Sequence, residues 1–284
     1  MRRKTLAKHL DKYDFFPPGL LIKYHSKRPP DKDTTKKIKE AASVAGSVMR
    51  SALWQIDKVC LFFRDETDLL TQVLDRHFGF KNQVGLQSTK DAKKNLVNAK
   101  ERKRQLQIIR RRMLSMSFHL NTGMYLLDTD AGHRTIVGDN ELNNMSDVWS
   151  ETAPVEDGSG GYEADPQNPG YARMAPKLNS AGKRTLSPQI EAYANTGTSG
   201  PVHVSFELAK TYSPLQFARL IIHEASHTFC GTTDVFYAHA EAQYYNEQAT
   251  RMIENADSYA YAAVSLGSNT LHDYASLQGA TYKA

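Results

Sequence analysis

Cysteine is scarce in this chain of 284 residues, which contains only Cys60 and Cys230. So low a count excludes a fold held by several disulfides and favours synthesis in a reducing compartment, with a single bridge left open. Long apolar runs are also lacking. The run Leu20 to Ile22, which follows basic residues at Arg2 to Lys4, is far too short for a signal peptide or a membrane span. We therefore expect no Sec-type signal and no membrane span, and location is left open between the cytoplasm and a specialised secretion route.

An internal repeat and a glycine-rich phosphate-binding loop are absent as well, which disfavours repeat proteins and P-loop enzymes. With 40% hydrophobic and 24% charged residues, the composition is that of a globular protein with a sizeable core. A net charge of +5 permits an acidic partner without requiring one. We expect a basic N-terminal extension over residues 1–39 and one main domain over residues 40–284.

Helical spacing of apolar residues dominates the first half of the chain. Residues 36–79 show three- and four-residue steps with a break near residues 64–67, which predicts two packing helices. A dense basic run over residues 90–112 contains interleaved Leu and Ile, which predicts an amphipathic helix with its charged side in water. The alternative is a patch for an anionic surface or nucleic acid. Nucleic acid is disfavoured as a partner because no aromatic residues are interleaved with the basic residues of this run and no recognisable binding motif is present.

Extended segments are predicted over residues 116–137 and 202–208, where they would form a small sheet. Between them, residues 152–201 are rich in Gly, Pro, Ser and Asn, which is typical of either a lid beside a cleft or a surface insertion. As a lid, this segment would offer substrate contacts from Tyr162, Tyr171 and Tyr193. After residue 234, helices are expected over residues 235–253 and 258–266.

One stretch carries clear chemistry: His223-Glu224-Ala225-Ser226-His227. On a helix, His223 and His227 project from one face about one turn apart, so both imidazoles can reach one metal ion. Glu224 beside them can act on a metal-bound water. A capping-box start at Ser213 to Gln216 and a stop at Gly231 support the helix. The pattern predicts a zinc hydrolase site.

A catalytic zinc ion usually has three protein ligands and one open position. Three residues compete for the third place: Asp234, Glu247 and His239. Asp234 follows the Gly231 break, where the chain can fold back towards the metal, and Glu247 suits the longer spacing of another protease group. His239 falls on the next expected helix. Spacing favours Asp234 only modestly over Glu247.

Residues Gly231 to Tyr237 resemble the Gly-Thr-x-Asp-x-x-Tyr signature of the aspzincin metalloendopeptidases, the deuterolysin and peptidyl-lysine metallopeptidase group. The stretch Glu254 to Tyr259 is similar to the Asn-Ala-Asp-x-Tyr run of that family, and the strong similarity covers about residues 200–262. It implies a zincin-like α+β fold, predominantly helical, with a small sheet beside the active-site helix. It also implies that Asp234 is the third zinc ligand and that Tyr237 assists the transition state; the alternative for Tyr237 is a core position.

The chain departs from that family at several positions. Ala238 stands where the family usually has Gly. In lysine-specific members, the acid that matches Asp257 is joined three residues later by a Glu, and together they receive the substrate's ammonium group; here that position is Ala260. Asp257 is therefore expected to bind substrate as a lone acid, or alternatively to cap the helix that begins near Ser258. Strict lysine specificity is not expected.

The hypothesis from the sequence is a zinc-dependent endopeptidase acting on a protein or peptide substrate. Zn2+ held by His223, His227 and Asp234 would lower the pKa of a bound water, Glu224 would act as general base, and Tyr237 would stabilise the oxyanion. The alternative is a non-catalytic, zincin-derived binding protein with a structural metal and a basic partner-binding surface. The presence of both Glu224 and Tyr237 favours the enzyme, because a structural site requires neither.

Two further hypotheses concern the export of the protein and the role of Cys230. With no Sec signal and few cysteines, the chain fits a bacterial effector or toxin exported by a specialised system, whose partner would be an inhibitor or immunity protein. Cys230 lies next to the expected site, and we interpret it as a buried thiol rather than an inhibitory ligand.

Overall fold

The chain folds into a mostly helical α+β structure, seen here in a computed structural model. Helix α1 is Lys32–Cys60, α2 is Asp68–His77, α3 is Ala92–Thr122, α4 is Leu208–Thr211, α5 is Pro214–Cys230, α6 is Glu241–Tyr244, α7 is Ala249–Met252, α8 is Ala256–Ser268, and α9 is Tyr274–Leu277, with a 3-10 turn at Phe80–Asn82. The structure describes residues 12–16, 20–24, 30–83, 85–86, 92–128, 152–166, 171–178, 191–194, 202–206 and 208–278.

The strands of the described residues form one sheet and one hairpin-like pair. The strands are β1 Lys12–Phe16, β2 Leu20–Tyr24, β3 Met124–Asp128, β4 Thr152–Pro154, β5 Met174–Pro176, β6 Ala192–Ala194 and β7 Val202–Val204. The sheet order is β1-β2-β3-β7-β6, and β4 pairs with β5 separately. The pairs β2-β3 and β3-β7 are parallel, whereas β1-β2 and β6-β7 are antiparallel. Register places Val202 opposite both Leu126 and Ala194.

Helix α1 organises the helical layer because its apolar residues return every three or four positions. Asp31 caps its start by accepting from the Thr34 amide at 2.7 Å. The buried stripe that includes Ile38, Val48 and Ile56 packs against α3, α5 and α8. Where α8 crosses α1, a Cβ at Gly267 would lie 2.4 Å from the Val48 Cβ, so the two helices approach this closely only with glycine there.

Helix α5 lies at the centre of the molecule. It packs against α1, α3 and α8, and it also contacts β6 and β7. Its residues from Leu215 to Thr228 are buried apart from Arg219. A helix buried on nearly all sides is enclosed by its neighbours, although here some of the buried side chains are polar. The small sheet therefore lies beside the His-Glu-x-x-His helix, as expected from the sequence.

Several sequence-based expectations about elements are confirmed, and others are wrong. The break near residues 64–67 is confirmed, since α1 ends at Cys60 and α2 begins at Asp68. Residues 118–120 are not extended, because α3 continues to Thr122 and buries Met113 and Met116 on the same face. The expected extended segment at residues 134–137 lies outside the described residues.

Two further segments differ in secondary structure from the prediction. Residues 32–39 belong to α1 rather than to an extension, and β1 and β2 of the expected basic arm join the sheet. Residues 235–253 form a loop and two one-turn helices instead of one helix. Over the described part of the chain, no helix has the length and apolar character that crossing a bilayer requires.

Candidate metal centre

Helix α5 begins and ends as its sequence predicts. The Ser213 hydroxyl accepts from the Gln216 amide at 3.2 Å, and the Gln216 side chain accepts from the Ser213 amide at 2.8 Å. Together they form the expected capping box. Gly231 ends the helix with φ +68°, a left-handed conformation that favours glycine. This turn changes the direction of the chain four residues after His227.

The loop after Gly231 is held in place by the segment before α8. The Thr233 amide donates to the Glu254 carbonyl at 2.8 Å, and the Ala256 amide donates to the Thr233 carbonyl at 3.0 Å. The Asn255 side chain accepts from the amides of Val235 at 3.0 Å and Phe236 at 3.1 Å. Because Asn255 is fully buried, these bonds fix the loop against α8 and aim Asp234 back towards α5.

Three side chains converge on one point. The Nε2 atoms of His223 and His227 are 3.2 Å apart, and Asp234 Oδ1 lies 3.0 Å from the first and 3.2 Å from the second. Ligands held 2.0–2.1 Å from a tetrahedral metal are themselves about 3.3 Å apart. The three atoms therefore have the spacing of one face of a tetrahedron. Within the described residues, this trio is the one group found with metal-ligand spacing.

The Nδ1 atoms of His223 and His227 both form hydrogen bonds. These bonds determine which nitrogen of each ring faces the point where the three side chains converge. His227 Nδ1 lies 2.7 Å from the Thr232 carbonyl, which can only accept, so Nδ1 carries the proton. His223 Nδ1 likewise donates to the Asp257 carboxylate at 2.7 Å. In the neutral rings, both Nε2 atoms then present lone pairs to the same place. Two lone pairs facing a carboxylate oxygen repel one another unless a cation lies between them.

Asp257 occupies a different place from the one expected of a substrate-binding acid. It is only 3% exposed, and its second oxygen accepts from the Ala238 amide at 2.7 Å. Arg219 approaches its first oxygen at 3.5 Å. Burial alone raises the pKa of Asp257, but His223 and Arg219 outweigh it and hold that pKa below its usual value. Asp257 therefore orients His223 from behind and offers no free oxygen to a substrate.

Asp257 is not at the N-cap, which was the other expectation for it, because α8 begins at Ala256 and Asn255 occupies the N-cap position without a side-chain capping bond. Ala260, the position of the missing second acid, is fully buried and contributes no carboxylate to bind a substrate cation.

Glu224 lies beside the three converging groups. It is buried, and its Oε2 has no hydrogen-bond partner among the described residues. Burial raises the pKa of Glu224 to about 7, although the neighbouring His223 and His227 lower it. A carboxyl group with that pKa can accept and return a proton near neutral pH.

Tyr237 lies at the edge of the site rather than in the core, with 39% of its surface exposed. Its hydroxyl donates to Asp234 Oδ2 at 3.0 Å. Its ring stacks between His223, at a centroid distance of 6.2 Å, and His239, at 5.4 Å. A hydroxyl at this position is available to a molecule that enters the site, because the side chain is open to solvent.

The competing candidates for a third ligand lie elsewhere. Glu247 pairs with Arg251 at 2.7 Å, and exposed His239 stacks on Tyr237 without joining the trio. Both cysteines are free thiols, and the Cys230 thiol donates to the Arg112 carbonyl at 3.3 Å. Burial raises the pKa of Cys230 to about 12, which disfavours the thiolate that a metal binds.

Charge at the centre favours a cation. Burial lowers the pKa of His223, but the carboxylates of Asp257 and Asp234 outweigh it and raise that pKa to about 10. For Asp234, burial acts to raise the pKa, and the two neighbouring histidines, His223 and His227, hold it far below its usual value. The acids thus stabilise positive charge here, which a proton or a metal ion can supply.

In comparisons with protein-family models, curated proteins and solved structures, nothing matched the chain. The aspzincin resemblance thus stays a prediction from the motifs. Tyr162 and Tyr171 are exposed, and the side chain of Tyr193 lies outside the described residues, so their role in substrate contact also stays a prediction.

Proposed function

We propose that this protein is a zinc-dependent endopeptidase with a zincin-like fold, in which His223, His227 and Asp234 are the metal ligands. The observation that carries the proposal is the convergence of two imidazole nitrogens and one carboxylate oxygen within 3.2 Å of each other, beside a buried glutamate. A structural zinc site needs a fourth protein ligand and has no use for such a glutamate.

The donor set fits zinc better than calcium or magnesium. Two imidazole nitrogens with one carboxylate suit a borderline ion that accepts four-coordination, whereas calcium and magnesium require oxygen ligands in larger number. Asp234 Oδ1 is buried and has no well-directed hydrogen bond from a described residue. An oxygen so placed is stabilised by a cation, because its burial without a partner is costly.

The chain's own residues supply the proton transfers and the charge stabilisation. A bound zinc ion would act as Lewis acid and lower the pKa of a water molecule towards neutrality. Glu224, with its unpartnered Oε2 next to the ligands, would take a proton from a water molecule there and pass it to the leaving amine. Tyr237 turns its hydroxyl from Asp234 to the developing oxyanion and donates a hydrogen bond to it.

Substrate preference follows from what surrounds these groups. Since Asp257 is enclosed and Ala260 is buried, we infer that a lysine side chain has no cation-binding partner there. Cleavage is therefore expected after or before several residue types rather than at lysine alone.

The deciding experiment measures metal and cleavage together. Purified protein should contain close to one zinc per chain, and should cut a denatured protein mixture in a manner abolished by 1,10-phenanthroline and restored by added zinc. Mapping the cut sites then tests the broad specificity. Zinc retained without any cleavage would replace this proposal with the non-catalytic binding protein.

A further inference from the structure

Four large apolar side chains are exposed side by side where α1 leads into α2. We refer to Trp54, Leu61, Phe62 and Phe63 as the aromatic cap. Their exposed fractions are 53%, 47%, 54% and 79%. The Trp54 and Phe62 rings pack edge to face with centroids 5.6 Å apart, so the cap is one surface rather than scattered residues. Clustered apolar exposure of this kind marks an interaction site.

The backbone holds the outermost residue of the cap in a costly conformation. Phe63 has φ +53°, in the left-handed region that bulky side chains rarely adopt. The strain is not offset by core packing, because Phe63 is the most exposed large apolar residue of the described chain. The turn at Phe63 closes the end of α1, since the Arg64 amide donates to the Lys58 carbonyl at 3.0 Å. Glycine would adopt this turn without strain, so the bulky exposed side chain points to a role outside the folded core.

Cations flank the cap. Lys103 Nζ lies 4.6 Å from the Phe63 ring centroid, and Lys58 Nζ lies 5.8 Å from that of Trp54. Arg64 follows Phe63 and is exposed. Lys103 belongs to the basic run of α3, which the metal centre does not use.

Most acids near the cap are already neutralised. Asp57 pairs with Arg110 at 2.5 Å, and Glu66 pairs with Arg102 at 2.6 Å. Asp65 in this connection and Asp68 at the start of α2 are exposed acids, two against the three cations named above. The field around the apolar tip is therefore positive on balance, from Lys58, Lys103 and Arg64.

We propose that the aromatic cap binds anionic membrane surfaces. Trp and Phe side chains are favoured at the boundary between headgroups and acyl chains, and Lys or Arg beside them are attracted to anionic headgroups. A bilayer accepts a protruding side chain without a complementary pocket, which suits a Phe at the tip of a connection between helices. This property does not depend on the metal centre or on peptidase activity.

The test follows Trp54 directly. The Trp149→Phe variant leaves Trp54 as the only tryptophan, since the chain has two. With vesicles of phosphatidylcholine containing phosphatidylserine, its emission should shift to shorter wavelength and the protein should co-sediment. Vesicles of phosphatidylcholine alone should bind much more weakly, and added salt should weaken binding to the anionic vesicles.

Matched variants locate the binding surface. Lys58→Glu with Lys103→Glu should reduce vesicle affinity by about tenfold or more, whereas Lys32→Glu with Lys36→Glu, the same charge change at the other end of α1, should have a much smaller effect. The double variant Phe62→Ser with Phe63→Ser, which removes apolar side chains of the cap, should also reduce vesicle affinity. Tyr171→Ser, at another exposed aromatic residue, is the control and should have a much smaller effect.

Two results would overturn the proposal. One is an unshifted Trp54 spectrum with anionic vesicles, or affinity that the cap variants leave unchanged. The other is concentration-dependent self-association that the Phe62 and Phe63 substitutions abolish without any vesicle binding, since the cap would then be a contact between copies of the chain.

Discussion

The candidate metal centre and the aromatic cap break the usual rule of burial in opposite directions. At the metal centre, charged groups such as Glu224 and Asp257 are enclosed, whereas at the cap large apolar groups such as Phe62 and Phe63 lie in water. Enclosed charges are tolerated where they are paired, as Asp257 is with His223 and Arg219. Exposed rings have no comparable compensation within the chain.

The difference indicates how each region relates to stability. The centre is supported by contacts from α5, from the loop after Gly231 and from the start of α8, so most changes there should affect both folding and chemistry. The cap is supported by little, so changes there should affect an external partner and leave the fold intact. Substitutions in the two regions should therefore separate these two behaviours.

The largest effect is expected for Glu224→Gln. The amide keeps the size of the side chain but cannot accept the proton, so the rate of peptide cleavage should fall by about two to four orders of magnitude while zinc is retained. Steady-state cleavage and metal analysis on the same preparation check this. Substituting exposed Glu254 by Gln serves as control, and an active Glu224→Gln enzyme would remove the glutamate from the mechanism.

Asp257 should act on metal binding rather than on substrate binding. Asp257→Ala removes the acceptor from His223 Nδ1 and leaves Arg219 without its acid, so zinc affinity should fall by about tenfold to a hundredfold. Competition with a chromophoric chelator measures this, and the visible spectrum of the cobalt-substituted protein should change with the altered ring orientation. If KM alone rises and metal affinity is unchanged, Asp257 contacts substrate after all.

A third prediction concerns a buried histidine outside the centre. His77 is fully buried against Tyr244 and Tyr261, and burial, followed by the nearby Arg76, lowers its pKa to about 3. The unfolded chain binds a proton near pH 6.5, so the folded state loses stability as pH falls below that value towards 3. Between pH 7 and pH 5, His77 alone should cost about 2 kcal/mol.

Urea unfolding of the metal-free protein at the two pH values measures this loss. His77→Gln should be less sensitive to acid than the parent, and His239→Gln, at an exposed position, should behave as the parent does. Equal sensitivity in all three proteins would show that His77 titrates normally.

The sequence predicted what is local and missed what depends on distant packing. Neighbouring residues alone predicted the helix N-cap at Ser213, the helix end at Gly231 and the one-turn spacing of His223 and His227. The structure has all three features. The contact between Asp257 and His223 spans 34 positions, and it exists only because α8 packs beside α5. Asn255 and the Thr232 carbonyl were missed for the same reason, since a backbone acceptor leaves no mark in the sequence.

The spacing of apolar residues gave a wrong prediction where the same residues are compatible with a strand and with a helix. Phe118 to Leu120 contain the aromatic and apolar residues of a strand, yet α3 continues through them because Met113 and Met116 extend its buried face. Leu61 to Phe63 show the converse case. Their sequence is that of a core segment, and the structure exposes all three, so apolar composition alone could not reveal the aromatic cap.

The smallest effect is expected for Phe63→Gly, which tests whether the aromatic cap contributes to folding. Phe63→Gly removes the strain of a left-handed bulky residue, and the gain exceeds the entropy cost of glycine, so the protein should become more stable by about 0.5–1 kcal/mol. Phe62 does not have a positive φ, so Phe62→Gly should instead lower the stability of the protein by about the same amount. Urea denaturation of both variants measures the pair. A stabilised Phe63→Gly that no longer binds anionic vesicles would show a side chain retained for its partner at the expense of the fold, whereas loss of stability would make Phe63 part of the folded framework.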